Sequence, residues 1–359
     1  MQTIHFGAAP VSRRLAAVAL GITIALFAVL APARADAAPK ALASGDTTLA
    51  LKKSVAKALS KAGIAVKPLK PAKANKQGVR FPVTGGRFDP ETARGTIRHS
   101  GGLRLKAGRT KLDLRSFTIA VAKRATLSAK VGKRRVTILN LDLSKAKIGR
   151  DQLAYRIANV RGSLTGAAAK AINATFGAKV AKRGLTLGRA TVVAAPEFVD
   201  VLAQGDTRLT LDAGAGALLS GAGISASPIA PAVASGGALA FPVTGGNLGT
   251  QALSGEVRHS GGIRLSDGGT TVDLREFTIN LDAGPDLTAL VGSDRVSILN
   301  LDLSQAAVSV GKNSGGVRVE GVRATLTAAA AGALNAAFGV TAFEQGQLLG
   351  TAVTHAATG

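Results

Sequence analysis

Two histidines are the polar side chains best placed to do chemistry. His99 and His259 each end an alternating segment, T-I-R-H and E-V-R-H, and each is followed by Ser-Gly-Gly. Neutral imidazole can ligate a metal or support a cofactor, and the same ring can instead pin a turn by hydrogen bonding to nearby backbone. Zinc fails on ligand count, because one histidine per segment, no cysteine and no neighbouring cluster of carboxylates fall short of four donors. Haem needs only one or two axial ligands, so it survives where zinc does not.

The remaining chemistry is thin. With no cysteine and Met1 as the sole methionine, thiolate and thioether ligands, disulfides and a cysteine nucleophile are all excluded. Three pairs of carboxylates recur 160 residues apart: Asp46 with Asp206, Asp113 with Asp273, and Asp142 with Asp302. Each stands alone in a strand or at an element end, where turn capping or a surface role suits it. VTGG, HSGG and LNLDLS lack the strand-to-helix setting of a phosphate loop, and no metal loop or G-x-S-x-G elbow occurs. The chain is therefore expected not to be an enzyme.

The elements that must position these residues occur twice. FPVTGG, GTIRHSGGLRL, LDLRSFTI and RVTILNLDLS lie within residues 79–144, and FPVTGG, GEVRHSGGIRL, VDLREFTI and RVSILNLDLS within 239–304, at a constant offset of 160. A period this long exceeds any solenoid repeat, so each copy is expected to be a domain with its own core. The expected boundaries are 38–195 and 196–359.

Within copy one, Ala38 to Gly45 reads as a linker. TTLALKKSVAKALSKAGI then places Leu51, Val55, Ala58, Leu59 and Ala62 at helical spacing, with Gly63 as the stop. Its counterpart TRLTLDAGAGALLSGAGI carries Gly214, Gly216 and Gly221, which weaken the helix. Proline-bearing loops follow. From FPVTGG onward, short segments such as Thr96–His99, Leu103–Leu105, Lys111–Leu114, Phe117–Ile119, Leu127–Ala129 and Val136–Ile138 alternate apolar with polar residues between turns. A second helix, LTGAAAKAINATFG or LTAAAAGALNAAFG, has Thr165 or Ser163 as a cap in copy one and Gly177 or Gly339 after its end. A closing strand completes each unit. The fold class expected is all-β or α+β, two tandem β-rich sandwich-like domains, each with a short N-terminal and a short C-terminal helix.

At the N-terminus, His5, Arg13 and Arg14 precede an apolar run from Leu15 to about Ala31, followed by Ala33, Ala35 and Ala37 at A-x-A spacing. Residues 1–37 are expected to be a cleaved export signal, leaving a secreted or envelope-associated chain.

Charge divides the copies. Residues 46–195 hold 33 Lys and Arg against 6 Asp and Glu, net +27, whereas residues 196–359 hold 8 against 14, net −6. One framework thus carries surfaces of opposite sign, so the fold is not what requires the charge. Outside the cell, a basic domain implies an anionic neighbour such as a wall polymer or a membrane surface. The expected contacts are Lys52, Lys53, Lys57 and Lys61 on the first helix, with Lys123, Arg124, Lys133, Arg134 and Arg135 on turns. Nucleic acid is not expected, because aromatic residues are few and do not interleave with this charge.

The order of helix, F-P-V-T-G-G, G-T-I-R-H-S-G-G-L, alternating strands, ALNAAFG helix and closing strand resembles the HtaA domain, the haem-transport-associated module of exported actinobacterial proteins. The resemblance covers nearly all of both copies. It implies a β-rich sandwich with short helices and, in haem-transport members, a haem pocket in which a tyrosine of the N-terminal segment is the axial ligand and a histidine supports it. This chain has no tyrosine there. Ala58 and Leu218 lie roughly where one is expected, and the single tyrosine, Tyr155, is matched by Val317. His99 and His259 lie near the family histidine and stand as the candidate haem contacts.

Overall fold

A computed structural model of the chain describes residues 38–312 and 315–359; the expected export signal lies outside them. Copy one runs β1 (Lys40–Leu51), α1 (Lys53–Lys61), β2 (Ala65–Leu69), β3 (Lys73–Asn75), β4 (Gly78–Phe88), β5 (Gly95–His99), β6 (Gly102–Ala107), β7 (Thr110–Val121), β8 (Ala125–Val131), β9 (Arg134–Asp142), β10 (Lys147–Asp151), β11 (Ala154–Leu164), α2 (Gly166–Phe176) and β12 (Thr186–Pro196). Copy two repeats this order as β13 (Phe198–Leu211), α3 (Ala213–Gly221), β14 (Ser225–Ile229), β15 (Val233–Ser235), β16 (Ala238–Gly249), β17 (Gly255–His259), β18 (Gly262–Ser266), β19 (Thr271–Asn280), β20 (Asp286–Val291), β21 (Asp294–Asp302), β22 (Ala307–Val310), β23 (Val317–Leu326), α4 (Ala328–Phe338) and β24 (Leu348–Thr358).

Both copies are β-rich with short helices, as expected, but the architecture is a closed barrel rather than a sandwich. In copy one the order β7-β5-β4-β1-β12-β11-β9-β8 returns to β7 through a β7–β8 pairing, so eight antiparallel strands form a ring; β19–β20 closes the second ring in the same way. Closure removes the free edges an open sheet would expose. Inward and outward residues alternate identically in a barrel and a sandwich, which is why strand patterning alone does not separate them.

The stretch read as linker plus helix is also corrected. Lys40–Leu51 is a single long strand, and the helix is confined to Lys53–Lys61, with only Val55 fully buried. Thr47, Leu49 and Leu51 carry the period of a strand directly into the period of a helix, and β1 is held on both sides, by β4 and β12. The second helices form where expected. Thr165 accepts a hydrogen bond from the Ala168 N–H at 3.1 Å, and Gly177 ends α2 at φ 63°; Thr327 and Gly339 do the same for α4.

The shared motifs shape the barrel wall. In FPVTGG, Gly86 lies so close to β5 that a Cβ would stand 2.0 Å from the Thr96 carbonyl oxygen, and Gly246 repeats this approach at 2.1 Å. β7 changes partners midway: Thr110–Arg115 pairs β6, and Thr118–Val121 pairs β5 and β8. The switch falls at Ser116, whose φ is 48°; Glu276 has φ 50° at the same point of β19.

The buried clusters follow the copies, with Leu153 of copy one packed against the cluster of copy two. Buried residues of copy two form one cluster, and those of copy one form two, around Phe81 and Phe117 toward the helices and around Phe88, Ile97 and Tyr155 toward the other end. Strand directions place both helices and the β6–β7 and β8–β9 turns at one end of barrel one. The helix-free ends of the barrels meet, where Glu197 N–H donates to Ala41 O at 2.8 Å, Gln152 N–H to Lys312 O at 3.0 Å, and Lys40 pairs with Asp200 at 2.5 Å.

Candidate functional site

Each histidine sits at the end of its strand, pointing into the barrel, 4 % exposed. His99 Nδ1 lies 3.2 Å from the Phe117 carbonyl oxygen, and Nε2 lies 2.6 Å from Thr47 Oγ1. A carbonyl only accepts, so Nδ1–H donates to it, and Nε2 then accepts from the threonine hydroxyl. His259 repeats both bonds, to Phe277 at 3.2 Å and Thr207 at 2.7 Å. Burial pulls each imidazole pKa from 6.5 down to about 4, which keeps the ring neutral. The clamp joins β5 to β1 across β4 and fixes the carbonyl beside the β7 bend. Neither ring nitrogen keeps a free lone pair, so ligating iron would require breaking the bond from Thr47 or Thr207.

The paired carboxylates are also engaged. Arg104 grips Asp113 through two hydrogen bonds at 2.6 and 2.7 Å, Arg115 adds a third at 3.1 Å, and these partners hold the carboxyl down at about 2. Arg264, Asp273 and Arg275 repeat the arrangement. Asp46 pairs with Arg80 and Asp206 with Arg208, while Asp142 and Asp302 cap the turns at Ser144 and Ser304. Among the described residues no group of three or more His, Cys, Asp or Glu could hold a metal ion.

The interiors differ. Barrel two contains a cavity of about 480 Å³, bounded by His259 and Thr207 at mid-height and by Leu248 and Val317 toward the helix-free end. The matching space in barrel one, beside His99 and Thr47, is about 90 Å³. The lower part of barrel one is filled by Phe88 and Tyr155, whose ring centroids lie 5.7 Å apart, with Ile97 and Ile157. Copy two has Leu248, Val317, Val257 and Val319 at these places. The upper aromatic pair is common to both: Phe81 with Phe117 and Phe241 with Phe277, each at 5.0 Å edge to face.

The expected cationic residues are all exposed, but the structure divides them. Lys52, Lys53, Lys57 and Lys61 on and before α1 share the helix end of barrel one with Lys133, Arg134 and Arg135 of the β8–β9 turn. Lys123 and Arg124, in the β7–β8 turn, lie at the opposite end and do not join them. The helix end is more basic than the expected set: segments 52–79, 106–111, 130–135 and 165–186, which build it, contain nineteen Lys and Arg and no Asp or Glu. None of the nineteen forms an ion pair with a carboxylate of the described residues. Sequence reasoning missed the other twelve, from Lys67, Lys70, Lys73 and Lys76 through Lys106, Arg109, Lys111 and Lys130 to Lys170, Lys179, Lys182 and Arg183, because strand direction is needed to see that their segments share an end. Of the nineteen, copy two keeps a positive charge at one place, Arg295 for Arg135. That guanidinium braces the bend: Arg135 Nη1 donates to Ser116 O at 3.0 Å, and Arg295 Nη1 to Glu276 O at 2.9 Å.

No protein-family model and no curated protein sequence matches the chain. Among solved structures it is similar to the C-terminal domain of HtaA from Corynebacterium glutamicum, at 15 % identity and TM-score 0.35, over 43 % of this chain and 98 % of that one. It is also similar to the N-terminal domain of the same protein, at 14 % identity and TM-score 0.32, over 43 % and 98 %. A domain-swapped dimer variant of the C-terminal domain aligns at 14 % identity and TM-score 0.30, over 41 % and 94 %.

Proposed function

We propose that this chain is a non-catalytic, exported binding protein of the cell envelope that docks on an anionic polymer through the helix end of barrel one. The observation that carries the reading is the set of nineteen cations that form no ion pair with a carboxylate of the described residues, in segments that hold no carboxylate of their own, of which copy two keeps only the one that braces the fold. Side chains that a scaffold does without in its own second copy are not there for the scaffold. Such an end neutralises polyanion charge and releases counterions, whatever the sequence or fine structure of the polymer. A membrane surface fits less well, because the apolar side of α1 is turned inward at Val55 and leaves no apolar face to enter lipid.

Haem, which the family resemblance implies, finds no free axial ligand inside either barrel among the described residues. α1 and α3 contain no tyrosine, Tyr155 is buried at the far end of barrel one, and His99 and His259 have both ring nitrogens engaged. It therefore enters no step of this reading.

The reading is tested by measuring the affinity of the chain for heparin or polyphosphate as salt is raised, with vesicles of anionic lipid in parallel. A steep, linear fall of log affinity with log salt on the soluble polyanion is expected. Affinity that ignores salt contradicts the proposal, and binding to vesicles alone replaces the polymer with a membrane.

A further inference from the structure

Barrel two offers a second site, independent of the anionic docking. Its cavity, about 480 Å³, runs from the helix end to the helix-free end of the barrel. At the helix end it is bounded by Ala329, Ala333 and Ala337 of α4 and by Val296 of β21, all exposed, so the space opens to solvent there. The lining is almost wholly aliphatic. Its principal polar groups consume one another: Thr207 donates to His259, and the Thr354 hydroxyl lies 2.9 Å from Thr207 Oγ1 as its hydrogen-bond partner. No charged side chain lines the cavity.

An apolar space this large is about three times the ~150 Å³ engineered cavity that stays dry and admits benzene. It falls within the range of small-molecule sites. Water finds few partners in it, so an apolar guest displaces water that is poorly held. Barrel one shows that this scaffold can be filled by its own side chains, since Phe88, Ile97, Tyr155 and Ile157 occupy what Leu248, Val257, Val317 and Val319 leave open.

We infer that barrel two holds a single aliphatic chain, such as the tail of a fatty acid or a related single-chain lipid, threaded along the barrel with its polar end in solvent beside α4. An extended hydrocarbon matches a long, aliphatic, uncharged tunnel. A flat metallated ring does not, because the only nitrogen ligand in the wall is His259, already bonded on both sides.

The test uses the full chain and the methyl ester of cis-parinaric acid, whose lack of charge keeps it from the basic end of barrel one. Saturable fluorescence enhancement at one probe per chain is expected. Filling the cavity with the residues of copy one, L248F, V257I, V317Y and V319I together, should weaken binding by at least about tenfold, since the guest would have to displace packed side chains, and should not lower the melting temperature. Ala333→Glu at the mouth should weaken binding without touching the interior, and it decides the matter if the four-fold variant fails to fold. No saturable binding by the unaltered chain overturns the inference, as does undiminished binding in the folded four-fold variant or in A333E.

Discussion

The two barrels share what the fold needs and differ where it is indifferent. Both have the eight-strand ring, the histidine–threonine clamp, the edge-to-face phenylalanine pair, the arginine fork on Asp113 or Asp273, and a brace from Arg135 or Arg295 onto the bend. They differ in the charge of the helix end and in the filling of the interior. A duplicated chain is thus its own control. What persists in both copies is assigned to structure, and the histidines, the most chemically suggestive residues of the sequence, fall on that side.

The largest effect that bears on this division is expected at the clamp. His99→Ala leaves a void and orphans the Thr47 hydroxyl and the Phe117 carbonyl, and His259→Ala leaves a void and orphans the Phe277 carbonyl while Thr207 keeps Thr354; each should cost about 3 kcal/mol or more. Equal losses in the two barrels, read from denaturant unfolding, sharpen the comparison; a loss in barrel one alone would break it. Acid should act through the same residues. Both imidazoles have folded pKa values lowered from 6.5 to about 4, so the unfolded chain takes up the proton first. Stability should be complete above about pH 6.5 and fall as pH drops toward 4, by up to about 3 kcal/mol for each histidine. A chain with Phe at both positions that keeps the same acid transition would remove the clamp from the explanation.

Smaller effects separate bracing from docking. Thr47→Val leaves the His99 Nε2 without its donor and should cost about 1–2 kcal/mol, as should Thr207→Val in the other barrel. Arg135→Ala and Arg295→Ala should each destabilise measurably, whereas Lys133→Ala and Arg134→Ala should change stability by less than about 0.5 kcal/mol. A melting-temperature series over these variants would show whether Arg135 differs in kind from its neighbours.

Much of this was legible in the sequence. The duplication, the β-rich class, most strand segments and the second helices with their threonine caps and glycine stops follow from spacing and turn chemistry. β1 was hidden because Thr47, Leu49 and Leu51 run straight into a helix, so one period masks another. Ring closure was not legible, since it is a pairing of β7 with β8 that leaves no mark on either strand's alternation. The partner of each histidine lies 52 residues away, and its one trace is that Thr47 and Thr207 recur at the common offset. The cavity depends on summed side-chain volume across strands; the replacement of Tyr155 by Val317 was visible, but its place at the barrel floor was not.

The central claim, that charge at the helix end of barrel one is for docking and not for folding, is tested most directly by giving that end the character of copy two. A chain carrying K52D, K53A, K57A, K61A, K133S and R134D, with Arg135 retained, is compared with the unaltered chain and with K123A/R124A, which alters the opposite end. The account predicts that the six-fold variant melts as the parent does, loses at least about tenfold in heparin affinity at physiological salt and shows a shallower salt dependence, while K123A/R124A binds as the parent does. Parental affinity in the folded six-fold variant, or an equal loss from altering the opposite end, would contradict it.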